Sequence, residues 1–374
     1  MSASTANICE AVLTTLMAED VQSPDKILPT TGVLGALLSA ENRGAAPTVK
    51  AAYGDGHHRG VRLAYKQRAI RAEVDDEKDC GPGEENPYLE IDFDLTTYRQ
   101  KKWKVKESTV RALCKMYSEI QIQPANLSQS AVQANINRLS GSSIGLIREM
   151  AQEFMYEANA LAESIKLELL TQMSLAVGGF PDLVTSPQTY QVQNSAANGG
   201  GPWFNGISAF NQDMRKFGWM GSPHVVHDFG ALDRMIGINA TQFCCSEIGV
   251  NFNEVFSQFP FRSFSDYLVH SVSGGGVNDA YVFYPGAANF IQYLEYVGNL
   301  GGKIDNIWRM TIPMPGIPGM NVDLRIIENG CDEDYDFIMG TWFDLFTAPD
   351  DMYKTGDRMA AVNGIVKAVF TQAA

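Results

Sequence analysis

The chain has 374 residues, a formal net charge of −14 and a hydrophobic share of 45%. That length and apolar content allow about two or three lobes, each with its own core. The acidic balance argues against wrapping nucleic acid by phosphate neutralisation, although local basic patches remain open. No apolar run approaches the roughly 20 residues that cross a bilayer. The start MSASTANICEAVLTTLMAED lacks a signal-peptide pattern, so the expectation is a chain made and kept in a cytoplasm, without a membrane.

Residues 1–50 read as an arm. Ile8, Val12 and Leu16 make one short amphipathic helix, and Val33, Leu34, Leu37 and Leu38 a second. Such small apolar faces cannot stand alone and must dock on this chain or another. GDGHHRG, with His57 and His58, reads as a loop. Val61, Leu63 and Tyr65 then alternate with Arg62, Ala64 and Lys66. Leu89, Ile91, Phe93 and Leu95 alternate with Glu90, Asp92 and Asp94. Both patterns have the period of two that marks a strand. EVDDEKDCGPGEENP between them is acidic and broken by Gly and Pro. Two long antiparallel strands are predicted, with basic outward residues on the first (Arg62, Lys66, on to Arg68 and Arg71) and acidic ones on the second. An isolated two-stranded hairpin is marginal in water, so this one needs an external partner.

Arg99, Lys101, Lys102, Lys104 and Lys106 flank Trp103 in a basic cluster. It reads as a solvated strand edge or a contact for a protein neighbour, with nucleic acid as the other reading. A helix is predicted from about Ser108 to Ile120. A much longer one spans 142–177, with Ile144, Ile147, Ala151, Phe154, Met155, Ala158, Leu161, Ile165, Leu169 and Met173 as its apolar stripe. Arg148, Glu153, Glu157, Glu163, Lys166 and Glu168 fall mostly away from that stripe. At about 1.5 Å per residue it is on the order of 50 Å long, a beam rather than a core element. Gly178, Gly179 and Pro181 end it. Beyond it, SPHVVHDFGALDRMIG reads as strand, turn and helix, with Asp228 as a helix cap. DAYVFYPGAANFIQYLEY repeats that grammar, with its helix over Phe290, Ile291, Tyr293 and Leu294. WRMTIPMPGIPGMNVDLRII is strand, proline turn, strand, and GIVKAVF is a closing strand. Strands and helices are interspersed, so the class is α+β.

No catalytic set emerges. GxSxG, Walker, HExxH and dinucleotide motifs are absent. The six cysteines form no C-x-x-C pair, and free thiols are expected. A His-x-x-His in a strand sends His224 and His227 to opposite faces, so they do not read as a metal pair. Asp332, Glu333, Asp334 and Asp336 lack the spacing of a calcium loop. No catalytic residue, cofactor or metal is expected.

The order of arm, long hairpin, long spine helix and mixed lobe resembles the major capsid proteins of tailed bacteriophages, with the Hong Kong 97-type fold. DAYVFYPGAANFIQYLEY, WRMTIPMPGIPGMNVDLRIIENGC and FDLFTAPDDMYKTGDRMAAVNGI carry the likeness. It implies an N-arm over 1–50 and an extended loop, the E-loop, over 51–106. It also implies a P-domain over 107–190 and 341–374 and an A-domain over 191–340. Such proteins assemble hexamers and pentamers into an icosahedral shell around double-stranded DNA. The implied partners are other copies, scaffold, portal and decoration proteins, and DNA by weak non-specific contact. The implied location is the virion capsid, assembled in the bacterial cytoplasm. The loop would lie on a neighbouring subunit through Arg62, Lys66, Arg68, Arg71, Leu89, Ile91, Phe93 and Leu95, with Glu153 and Glu157 of the spine helix as acidic partners. Lys66 or Lys78 with Asn363 are the residues for a cross-link, should one form. A tail or portal ring subunit is the rival reading, and a soluble enzyme the more distant one.

Overall fold

The computed structural model describes residues 32–55, 58–66, 88–110, 141–177, 189–194, 221–228, 261–272, 279–296, 302–304, 307–314, 317, 319–329, 334–348 and 364–372. The Ile8–Leu16 stretch, Arg68, Arg71, Lys78, Asn363, all the cysteines and most of the predicted 108–120 helix lie outside the described residues. So does the helix expected after Asp228. The described residues fall into two compact units. One takes those of 96–165 and 292–343; the other takes those of 32–95, 166–291 and 344 onward.

The first unit is built on a sheet. Its strands are β10 (Gly302–Ile304), β11 (Ile307–Pro313), β12 (Asn321–Asn329), β13 (Asp334–Thr347) and β4 (Thr97–Lys106), in that spatial order. β11 and β12 form the predicted pair around the proline turn, with Pro313 opposite Asn321. The turn is closed by Met314 N–H donating to Met320 O at 2.9 Å. β4 ends the order, pairing antiparallel with β13, Trp103 opposite Phe337. Trp103 and Val105 are buried while Lys102, Lys104 and Lys106 are exposed. Lys102, Lys104 and Lys106 are therefore the outer row of a strand that ends the sheet among the described residues, where lysines deter unwanted strand pairing. Arg99 and Lys101 are half-buried on the face that Trp103 shares. The sheet's inner face meets helix α3 (Gly141–Leu175) through Phe154. Phe154 stands edge-on to Trp103 at 5.1 Å and to Phe337 at 5.5 Å. Met155, Ala158, Leu161 and Ile165 continue the buried stripe as its spacing predicted.

The second unit holds two sheets. One has the order β5 (Thr189–Asn194), β14 (Ile365–Gln372), β8 (Asp279–Phe283), β6 (His224–His227), β7 (Arg262–Ser265). β6 and β8 are buried at every residue, which is why their sequences show no alternation of apolar and exposed polar positions. The other is three-stranded: β1 (Thr48–Asp55), β2 (His58–Lys66) and β3 (Tyr88–Leu95). The strands β2 and β3 were legible; β1 was not, because a bulge between Val49 and Ala51 breaks its period. His58, expected in a loop, opens β2 and pairs with Asp55.

Two short helices, α1 (Val33–Leu37) and α2 (Ala40–Ala45), dock within this unit. Val33, Leu34, Ala36 and Leu37 are buried. Asn42 donates to Leu37 O at 3.0 Å and Ala288 O at 2.9 Å, and accepts from Gly286 N–H at 2.9 Å. Gly286 has φ +86°, and a Cβ there would sit 2.8 Å from Ala45 O. Only glycine fits that approach.

Two expectations are corrected. Residues 288–293 form strand β9 (Ala288–Tyr293), not a helix. Phe290, Ile291 and Tyr293 are strand formers, and β13 offers them a ladder. Lys166 is not on the solvated face of α3. It is buried, with Nζ 3.4 Å from Asp266 Oδ1.

Candidate functional site: a surface for other subunits

The three-stranded sheet carries the residues expected to meet a neighbour. Its middle strand is well anchored: Val61, Leu63 and Tyr65 are buried. Leu63 lies opposite Val49 on one side and Ile91 on the other. Yet Val49 is 53% exposed and Ile91 37% exposed. Along β3 burial falls off residue by residue. Leu95 is buried, Phe93 is half-buried against Phe346 at 5.4 Å, and Ile91 is open. The apolar row thus starts in the lobe's core and runs out to solvent. The side chains of Leu89 and Lys66, at the far end, lie outside the described residues.

The opposite face is charged, as the alternation predicted. Arg62 and Asp92 are cross-strand partners, with Nε donating to Oδ1 at 2.8 Å and Nη2 to Oδ2 at 3.2 Å. The Arg62 hydrogen bond holds the Asp92 carboxyl below the usual carboxylate range. Both side chains are about half exposed, so the pair adds register more than stability.

On α3, Glu149, Glu153 and Glu157 recur at every fourth residue. Burial, then the charges of Glu157 and Glu149, push the Glu153 carboxyl up. Like charges at this spacing repel, so the row favours a cation beside it. Glu157 has one within the chain: Lys101 Nζ is 3.2 Å from its Oε2.

His224 and His227 are both fully buried and share no partner; among the described residues His227 is bonded through both ring nitrogens, His224 through Nε2 alone. His224 stacks on Phe264 and Phe283, and its Nε2 is 3.0 Å from Ser39 Oγ. His227 meets Ser263 Oγ at 2.6 Å through Nε2 and Asp228 O at 2.9 Å through Nδ1. Among the described residues no cluster of three metal-ligating side chains occurs. Burial, and then the Arg262 charge, push His224 from 6.5 down to about 4, and burial lowers His227 too. The unfolded chain therefore binds more protons than the folded one between those values. Stability should be steady above about pH 7, fall as pH drops from 6.5 toward 4, and lose on the order of 3 kcal/mol from His224 alone. Urea midpoints measured across that window check this. His224→Gln should flatten the slope, and an unchanged slope would contradict it.

Among the described residues no helix is long and apolar enough to cross a membrane. The sequence reading missed β1 and hence Val49, the second exposed apolar residue of the row. An alternation allowing for a bulge would have found it. No family model matches the chain, and no curated protein matches it by sequence. Among solved structures it is similar to the cyanophage A-1(L) capsid asymmetric unit, with 10% identity, 83% of this chain and 87% of that one covered, and a TM-score of 0.44. For the capsid of Ralstonia phage GP4 the values are 9%, 91%, 90% and 0.40. For the holo-SrpI encapsulin complex of Synechococcus elongatus PCC 7942 they are 10%, 82%, 81% and 0.33. Over more than four fifths of its residues the chain is similar to these shell structures, at identities of 10% or less.

Proposed function

We propose that the chain is a major capsid protein of a tailed bacteriophage, assembling hexamers and pentamers of an icosahedral shell around double-stranded DNA. One observation carries the reading. The apolar row of the three-stranded sheet leaves the core at Leu95 and emerges at Ile91 and Val49, where nothing in the described chain covers it. Burying an aliphatic side chain gains about 1.5–3 kcal/mol, so an open row of this kind favours a partner. A second copy of the chain is the partner the proposal names, and the order of hairpin, 35-residue helix and mixed lobe supports it. Scaffold, portal and decoration proteins, and weakly held DNA, are the further partners it implies. Rings or tubes would instead support the tail or portal reading.

The expressed chain should give closed megadalton particles in electron micrographs and in sedimentation. Val49→Asp with Ile91→Asp should abolish them while circular dichroism stays unchanged. A truncation meant to remove only the arm should stop before residue 32, because α1 and α2 belong to the folded unit. A small oligomer from the native chain, or normal particles from the double variant, would sink the proposal.

A further inference from the structure

Several cations of the described chain meet a carboxylate oxygen at 2.8–3.4 Å: Arg62, Lys101, Lys102, Lys166 and Lys367. Arg309 and Arg325 make no such pair among the described residues. They stand directly opposite each other on β11 and β12. Like charges in that position destabilise a sheet. Arg325 Nη2 donates to two neutral acceptors, Tyr98 Oη at 3.2 Å and Gln100 Oε1 at 3.1 Å. The Arg309 guanidinium carbon lies 5.9 Å from the centre of the Tyr296 ring, and its buried Nε–H has no acceptor among the described residues. The carboxylates in the neighbourhood hold other donors. Asp323 accepts from Glu295 N–H at 2.7 Å and Thr311 Oγ1 at 2.8 Å. Glu295 accepts from Trp342 Nε1 at 3.2 Å.

We propose that Arg309 and Arg325 form an oxyanion site. A carboxylate or phosphate between the two guanidinium groups cancels their repulsion. It also gives the Arg309 Nε–H the acceptor that the described residues do not supply. Guanidinium is suited to this, since its planar fork matches two oxygens at once. The anion has two sources with this shared chemistry: an acidic segment of a second copy, or free phosphate. The site does not depend on the chain forming shells.

The test uses the full-length chain with inorganic phosphate against chloride at matched ionic strength. Phosphate should raise the thermal midpoint, and calorimetric titration should show binding. Arg309→Gln and Arg325→Gln should each weaken that binding about tenfold or more, because each removes charge-assisted hydrogen bonds. Arg309→Met should melt no lower than the native chain in chloride, because it also removes the repulsion, yet it should not respond to phosphate. A second arm adds a peptide of residues 72–79, AEVDDEKD. Competition with phosphate assigns the site to an acidic segment of a neighbouring copy; no competition assigns it to the free anion. A native chain indifferent to both probes, or variants that respond as the native chain does, would overturn the proposal.

Discussion

Replacing Asp266 by Ala should destabilise the chain by about 3–5 kcal/mol, the range for breaking a buried ion pair from one side. Asp266 is 1% exposed, and it does three things at once. Oδ1 faces Lys166 Nζ at 3.4 Å and accepts from Leu268 N–H at 3.2 Å. Oδ2 accepts from Val33 N–H at 3.1 Å. Alanine leaves the buried Lys166 ammonium facing the Tyr267 ring, 5.5 Å from its centre, with no carboxylate beside it among the described residues. It also strips an acceptor from the first turn of α1, whose N-cap, Gly32, offers no side chain. The backbone shows how closely this joint is fitted. Gly32 has φ +91°, and a Cβ there would lie 2.2 Å from Asp266 Oδ2. Urea denaturation gives the loss, and hydrogen exchange over 33–37 should rise with it. Lys166→Met combined with Asp266→Asn should recover more than half, since no charge is then left unpaired and the amide oxygen still accepts. If the double variant is as unstable as Asp266→Ala, the ion pair is not the source.

Phe154→Ala should cost about 3–5 kcal/mol, the range for removing a buried aromatic side chain. Phe154 is fully buried and edge-on to Trp103 and Phe337, which stack on each other at 5.5 Å. The three rings join helix α3 to strands β4 and β13 within the first unit. Removing the middle contact leaves a void between helix and sheet that rigid strands cannot close. Phe154→Leu should lose less than half as much. A loss under about 1 kcal/mol for the alanine variant would mean that the helix does not depend on this contact. Native Trp103 fluorescence gives an independent view of the same packing.

Periodicity carried most of what was legible. The stripe of α3 from Phe154 to Met173 is buried as its three-and-four spacing requires. The alternation at 61–66 and 89–95 is a paired ladder, with Leu63 opposite Ile91. These patterns are local, since a helix or strand must put its apolar residues on one side wherever the chain goes next. The charged outer face of the hairpin was legible for the same reason; that Arg62 pairs with Asp92 was not, because the register of β2 on β3 decides it. The 288–293 segment shows the limit. Its aromatic and aliphatic residues suit a helix face or a strand, and the neighbouring β13 decided for the strand.

The sequence by itself determined the long helix, the strands over 61–66 and 89–95, the faces they bury and the α+β class. It also determined that an apolar row on the hairpin exceeds what the hairpin can cover. Tertiary structure alone decided which groups meet across long separations. Lys166 looked like a solvated lysine, yet it sits 3.4 Å from Asp266, a hundred residues away. Asn42 belongs to no pattern in the sequence, yet it is 1% exposed and bonded to Gly286 and Ala288. Arg309 and Arg325 are sixteen positions apart, and only the register of β11 on β12 puts them side by side. The physical reason is the same in each case. A polar side chain's burial, partner and charge balance depend on what the fold brings within about 3 Å of it, and no period in the chain encodes that distance.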